Sequence, residues 1–431
     1  MIFTLFKNPI EYYSNIRNHI TNCYLAEDIY QIIIGIDCEY IDSNSNSYED
    51  LQNFYSTYKN KSIAPFAGLF GVFAYDTIHY FENIDKINNK QYNFPTFLFA
   101  NAKAYLHYDK NSKIYTFYGD KDKYFKLLDS NENNNNFTDN NKYYYTIKSD
   151  LEHEKRHFYN MVETAKNYIK RGDIFQVVLS SQLKLETNLD SLSFYKELST
   201  QNPSPYMFHF PTEYGDVVGS SPEILVQLEN DEIFIAPIAG TRPRGKDSNE
   251  DDFLSNDLLN DEKECAEHRM LIDLARNDAG KFAESGSIIV KKPMHIQYYQ
   301  HVMHIVSEVY GKKRKDVSLF DVISIVFPAG TLSGAPKIRA MEIIAELEEF
   351  NRNVYGGGLG FLHFNGNVQL AIVIRTAFYA YISKNKYNVF IQAGAGIVYD
   401  SIKEKEYAEI THKRQSLMNI FKICCLNEEV K

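Results

Sequence analysis

The sequence predicts an α+β or mixed α/β protein in two unequal parts. Three observations lead there. The first ~125 residues alternate short strand-like runs with polar spacers. A tract dominated by Asn and Asp follows, with almost nothing to bury. The remainder interleaves helical and strand periodicity, with no repeat of roughly 20–50 residues, in a segment of about 280 residues. At 431 residues, 44% hydrophobic and 24% charged, the chain has a globular composition and enough apolar material for a large core.

In chain order, strands are expected over 31–36, 67–74, 96–106 and 113–118. Residues 129–142 are expected to form a loop or linker between an amino-terminal domain over 1–128 and a larger domain over 143–425. Phe158, Met161, Val162, Ala165 and Ile169 recur at helical spacing, so 151–171 reads as a helix with Gly172 as its C-cap. Residues 174–179 then read as a strand.

Composition narrows the function. Against 46 basic side chains stand 56 acidic ones, a net charge of −10, which argues against a surface built to track nucleic acid. MIFTLFKNPIEYY lacks a basic segment leading into a sustained apolar one, so no secretory signal is expected. No apolar run approaches the ~20 residues of a membrane helix. Cys23, Cys38, Cys265, Cys424 and Cys425 show no metal or redox spacing, and free thiols in a reducing cytoplasm are expected. Tryptophan is absent beside 33 Tyr and 29 Phe, which AT-biased coding accounts for.

Four stretches are too polar, glycine-rich or charged to be plain core. In IAPIAGTRPRG (235–245) a strand end meets a basic turn, and Gly240 and Thr241 also offer a close approach and a hydroxyl to a small anion. In DEKECAEHRMLIDLARND (261–278), Asp261 and Glu264 fit a capping box, and Glu264, Glu267, His268 and Asp273 fall near one helix face. Two carboxylates so spaced suit a hard cation such as Mg²⁺, although such a pair by itself is usually a solvated face. FPAGTLSGAPK (327–337) leads into a helix whose start, with Lys337, suits an anion; it fails the phosphate-loop pattern. Glu406 and Glu409 repeat the acidic spacing on a helix with Lys413, just after a strand containing Gly394-Ala395-Gly396. Tyr399 stands where a dinucleotide fingerprint needs its last glycine. His301 and His304 read, on spacing alone, as structural histidines.

Together these stretches resemble the chorismate-utilising enzymes, most closely the synthesising subunits (component I) of anthranilate synthase. The resemblance runs from about 143 to 418 through GDIFQVVLS, NPSPYMF, GSSPEILV, PIAGTRPRG, KECAEHRMLIDLARND, HVMHIVSEV, FPAGTLSGAPK, YGGGLGF, IRTAF and QAGAGIVYDS, in order. It implies an α+β fold, a large β-sandwich of antiparallel sheets flanked by helices. It also implies a Mg²⁺-dependent lyase that adds ammonia to chorismate, loses the ring hydroxyl as water and eliminates pyruvate to give anthranilate, for tryptophan biosynthesis.

By resemblance, Glu267 and Glu409 are the metal ligands, with Glu264 and Glu406 behind them. His304 is the general acid/base, assisted by Thr241 and Glu264. Gly240, Thr241, Tyr355, Arg375, Gly394, Ala395, Gly396 and Lys413 hold the substrate's carboxylates, with Arg375 suited to a bidentate grip. Aminodeoxychorismate synthases, the alternative activity, often carry a nucleophilic lysine at the position of Ala239, and isochorismate and salicylate synthases carry a water-activating lysine at that of Gln176. Neither lysine is present. A non-catalytic paralogue would have lost a metal carboxylate, His304 or Arg375, and none is lost. The chain has no Cys-His-Glu amidotransferase arrangement, so the resemblance implies a glutamine amidotransferase subunit as the ammonia source. It further implies an L-tryptophan feedback pocket from Pro205, Tyr206 and Met207 with Asp28, which stands where the family has Ser.

Overall fold

The computed structural model describes residues 2–3, 7–129, 143–299 and 302–428. Residues 130–142 of the expected linker, and His301, lie outside them. The four early strands form at Gln31–Asp42, Gly68–Phe73, Phe97–Asp109 and Ile114–Tyr118. The helix Leu151–Lys170 is capped by the Asp150 side chain, which accepts from the amides of Glu152 and His153. Gly172, at φ +83°, ends it in the left-handed conformation that only glycine adopts cheaply.

One antiparallel ladder carries the fold. From Val302–Lys312 it passes through Glu232–Ile235, Ile224–Glu229, Val368–Ile372 and Gly358–His363. It then enters the early strands: Gly68–Phe73, Phe97–Asp109, Gln31–Asp42 and Tyr24–Asp28. It leaves them through Tyr206–Thr212, Gly215–Ser221, Thr376–Ser383 and Lys386–Ile397 to Gln176–Thr187. The early strands therefore hydrogen-bond on both sides to strands that lie far beyond residue 142.

Side-chain alternation shows how this ladder folds over. Tyr24, Ile33, Phe208, Val217, Phe378 and Phe390 enter one core with Leu225, Leu359 and Phe361 from the other arm. Their neighbours Leu25, Ile34, Met207, Val218, Tyr379 and Ile391 face outward, under helices Pro9–His19, Ser191–Gln201 and Lys403–Cys424. A period of two with both faces covered is what a helix-flanked sandwich requires. The expected α+β sandwich is what forms.

Inside it, Arg352 is fully buried. It donates to Glu348 at 2.8 and 2.6 Å, to the Leu332 carbonyl at 2.6 Å and to the Val178 carbonyl at 2.8 Å. Arg352→Met leaves the Glu348 carboxylate buried without its cation, and urea unfolding should register a loss of about 3–5 kcal/mol. A loss below about 1 kcal/mol would contradict this account.

Candidate active site

The two ends of the ladder meet again. At one end, Ile238–Pro243 pairs with Val302–Lys312 and sets Thr241 opposite His304. His304 Nδ1 lies 2.8 Å from the Gly240 carbonyl and 3.1 Å from Thr241 Oγ1. A carbonyl can only accept, so that bond assigns the proton to Nδ1 and leaves Nε2 with a lone pair. Burial lowers the His304 pKa; the Gly240 carbonyl opposes this, and the charges of Arg375 and Lys413 lower it further. Gly240 sits at φ +68°, and a Cβ there would lie 2.9 Å from Leu258 and 3.1 Å from Glu264 Oε2. Glycine is required for both reasons.

At the other end, the inward face of Lys386–Ile397 reads Phe390, Gln392, Gly394, Gly396, and the aromatic core gives way to polar groups and bare backbone. A Cβ on Gly394 would meet the Tyr355 hydroxyl at 2.8 Å; one on Gly396 would meet Gln176 Nε2 at 2.5 Å and Glu267 Oε1 at 3.4 Å. Lys413 Nζ donates to the Gly394 carbonyl at 2.8 Å. Arg375, at φ +51°, donates from Nη1 to the Lys413 carbonyl at 2.7 Å and to Ser416 Oγ at 3.3 Å, which leaves its other nitrogens for a ligand. Ala395 points the other way, into the core with Val177 and Ile410, so only its backbone can take part.

Helices Glu262–Gly280 and Lys403–Cys424 bring four carboxylates to this seam. Burial, first, and neighbouring carboxylates including Glu409 push the Glu264, Glu267 and Glu406 carboxyls above their ordinary range. Among the described residues Glu409 is the one of the four that ion-pairs, with Lys413 at 2.7 Å. No three His, Cys, Asp or Glu among the described residues are set to hold a metal by themselves. An all-oxygen, mutually repelling set with few protein ligands fits Mg²⁺, which keeps waters and takes substrate oxygens.

Other expected groups do not join the site. The Asp261 side chain does cap the helix, accepting from Lys263 and Glu264, while the Glu264 carboxylate turns toward Gly240. His268 is buried against Ser307 Oγ at 2.7 Å, and Asp273 pairs with Arg276 at the surface. Arg242 is held by Asp257 and Asp261, Arg244 by Asp251. Lys337 is buried on Asp278 at 2.6 Å, so no anion site forms there.

One group went unnoticed in the sequence. Glu223, of GSSPEILV, is buried and accepts from Thr331 Oγ1 at 2.7 Å. Burial raises its pKa to about 7, against the Thr331 bond and the Lys413 charge. Burial, first, and then Glu223 raise the pKa of Tyr299, whose ring packs edge-on to His304 at 5.5 Å. A carboxylate isolated in a strand-forming run was its only signal. Elsewhere, Asp28 pairs across the ladder with Tyr206, and these two line one cavity with Met207. Asp28 accepts from the Tyr30 and Gln31 amides.

Comparison with known proteins agrees with this fold. An anthranilate synthase component 1 from Aquifex aeolicus is 49% identical over 275 residues, 64% of this chain but only 55% of that protein, so the match spans about half the relative's length. One from Methanothermobacter thermautotrophicus is 38% identical over 96% of this chain and 92% of its own. The crystal structure of anthranilate synthase component I from Streptococcus pneumoniae superposes with a TM-score of 0.74, at 31% identity and 91% coverage of both chains. Residues 12–419 match the chorismate binding enzymes, and the chain belongs to that family.

Proposed function

We propose that the chain is the synthesising subunit of an anthranilate synthase, converting chorismate and ammonia to anthranilate, pyruvate and water for tryptophan synthesis in the cytoplasm. The observation that carries the choice of nucleophile is Gln176. Its Nε2 donates to Glu267 Oε1 at 2.7 Å, and an amide cannot deprotonate water, so ammonia is the nucleophile this site leaves room for. All five cysteines are free, and among the described residues no helix is long and apolar enough to cross a membrane.

Arg375 and Lys413, with the backbone at Gly240 and at Gly394 to Gly396, orient the two carboxylates of chorismate. Glu267 and Glu409 would hold Mg²⁺, with Glu264 and Glu406 behind them, and the ion supplies charge stabilisation at the ring carboxylate. Glu223, protonated near neutrality, gives its proton to the departing ring hydroxyl as ammonia adds. His304 Nε2, held by the Nδ1 bond to Gly240 and by Thr241, removes the ring proton as pyruvate leaves. A glutamine amidotransferase subunit supplies the ammonia, and the cavity at Asp28, Tyr206 and Met207 takes L-tryptophan as feedback ligand.

Purified chain incubated with chorismate, Mg²⁺ and ammonium at mildly alkaline pH should yield anthranilate, identified by fluorescence and mass. Aminodeoxychorismate would select the folate-pathway alternative. Isochorismate or salicylate would refute the role given to Gln176. No turnover, with or without an amidotransferase partner, would point to a non-catalytic paralogue.

A further inference from the structure

The basic turn of IAPIAGTRPRG does not reach the carboxylate seam, yet one of its arginines holds a residue that touches His304. The strand Ile289–Tyr298 lies antiparallel to Val302–Lys312 and sets Gln297 opposite His304 and Tyr298 opposite Met303. Tyr299 follows at its end, half-buried, with its amide donating to the Val302 carbonyl at 2.8 Å. From there its ring reaches the His304 imidazole on the diagonal, with centroids 5.5 Å apart and planes at 65°.

Arg244 secures Tyr299 from the other side. Its Nη1 donates to the Tyr299 carbonyl at 2.7 Å, while Nε and Nη2 bind Asp251 at 3.0 and 2.5 Å. Asp251 also accepts from the Gly245 amide at 2.6 Å and belongs to the helix Ser248–Asn260, whose Leu258 lies against Gly240. The guanidinium sits over the Tyr298 ring, 5.2 Å from its centroid. A planar fork can serve a carboxylate and a carbonyl at once, which a point-like ammonium cannot.

His304 has need of such support. Its Nδ1 bond to the Gly240 carbonyl anchors one edge of the imidazole, but the ring can still tilt about that bond. A base whose Nε2 is tilted away from its target loses rate steeply. We propose that Arg244 and Tyr299 are positioning residues for His304: Arg244 fixes the Tyr299 backbone, and the Tyr299 ring fixes the tilt of the imidazole so that Nε2 faces the substrate. Neither acts on chorismate directly. This role rests on the proposed use of His304 as base.

Two readouts test it, and one needs no turnover. The titration midpoint of His304 is read by NMR on the full chain with carbon-13-labelled histidine, its signal identified by loss in His304→Asn. Burial holds that midpoint below 6.5 against the Gly240 bond, and Arg375 and Lys413 lower it further. Tyr299→Leu removes the ring edge, admits water and should raise the midpoint by about half a pH unit or more. It should also lower kcat about tenfold or more, with the chorismate KM changed less than about twofold. Tyr299→Phe keeps the ring edge and should hold the parent's midpoint and most of its kcat.

Arg244→Lys keeps the charge but cannot span Asp251 and the Tyr299 carbonyl, so it should reproduce Tyr299→Leu. The Arg244 side chain is 34% exposed, and this variant keeps the test valid if Tyr299→Leu does not fold. A midpoint unmoved in both variants, or a kcat unmoved in both, overturns the proposal. So does a Tyr299→Phe variant as impaired as Tyr299→Leu, or a loss that appears in KM alone. If the parent leaves chorismate unconverted, the proposed function fails, and the midpoint still decides whether Arg244 and Tyr299 position His304.

Discussion

Glu409→Gln should cut chorismate turnover about 10³-fold at saturating Mg²⁺, since a lost metal-site carboxylate costs several kcal/mol in the transition state. The substitution keeps shape and removes charge. It acts twice: it takes one carboxylate from the seam shared by Glu264, Glu267 and Glu406, and it frees Lys413, now paired with Glu409 at 2.7 Å, while the Lys413 bond to the Gly394 carbonyl persists. The Glu409 side chain is 46% exposed, so the fold has little stake in it. Circular dichroism and the thermal midpoint should match the parent, while the Mg²⁺ concentration for half-maximal rate rises. Near-normal turnover at ordinary Mg²⁺ would remove Glu409 from the metal site.

Much of this was legible in the sequence because local pattern carried it. The early strands follow from short apolar runs between polar spacers and the helix Leu151–Lys170 from period-3.6 spacing, with Gly172 marking its end. Gly394 and Gly396 of QAGAGIVYDS stand out in a strand, and in the fold the Tyr355 and Gln176 side chains lie too close to them for a Cβ. Pairing partners were not legible. Nothing local says that Tyr24–Asp28 will lie beside Tyr206–Thr212, or Gly68–Phe73 beside Gly358–His363, because register across hundreds of residues is decided by which faces can be buried together. For the same reason Lys337 read as a free cation until Asp278 was found against it. His268 shared a helix face with Glu264 by spacing, but Ser307 claims it from a neighbouring strand. Glu223 escaped notice since its chemistry comes from burial, which spacing does not report.

Glu223→Gln should lower kcat/KM for chorismate by about 10²–10⁴-fold and should also change the shape of the pH profile. On the proposed mechanism, the parent needs Glu223 protonated and His304 neutral. Burial raises the Glu223 pKa to about 7, so the proton is present below that pH and the rate falls about tenfold per pH unit above it. Burial lowers the His304 pKa below 6.5, so its base form persists until the pH drops past that lowered value. The two limbs enclose an optimum just below neutrality when free ammonia is held constant. Glutamine fills the same space and can still meet Thr331, yet it has no proton to give, so the alkaline limb should vanish while the acid limb of His304 remains. Stability moves in step. A carboxyl whose folded pKa of about 7 exceeds its ordinary 4.5 contributes fully below 4.5, and loses that contribution as pH rises through 7. The parent should therefore lose stability across that interval, and Glu223→Gln should flatten the loss. If the variant kept the alkaline limb at full height, Glu223 would be a buried structural acid, and the proton for the leaving hydroxyl would have to come from another group.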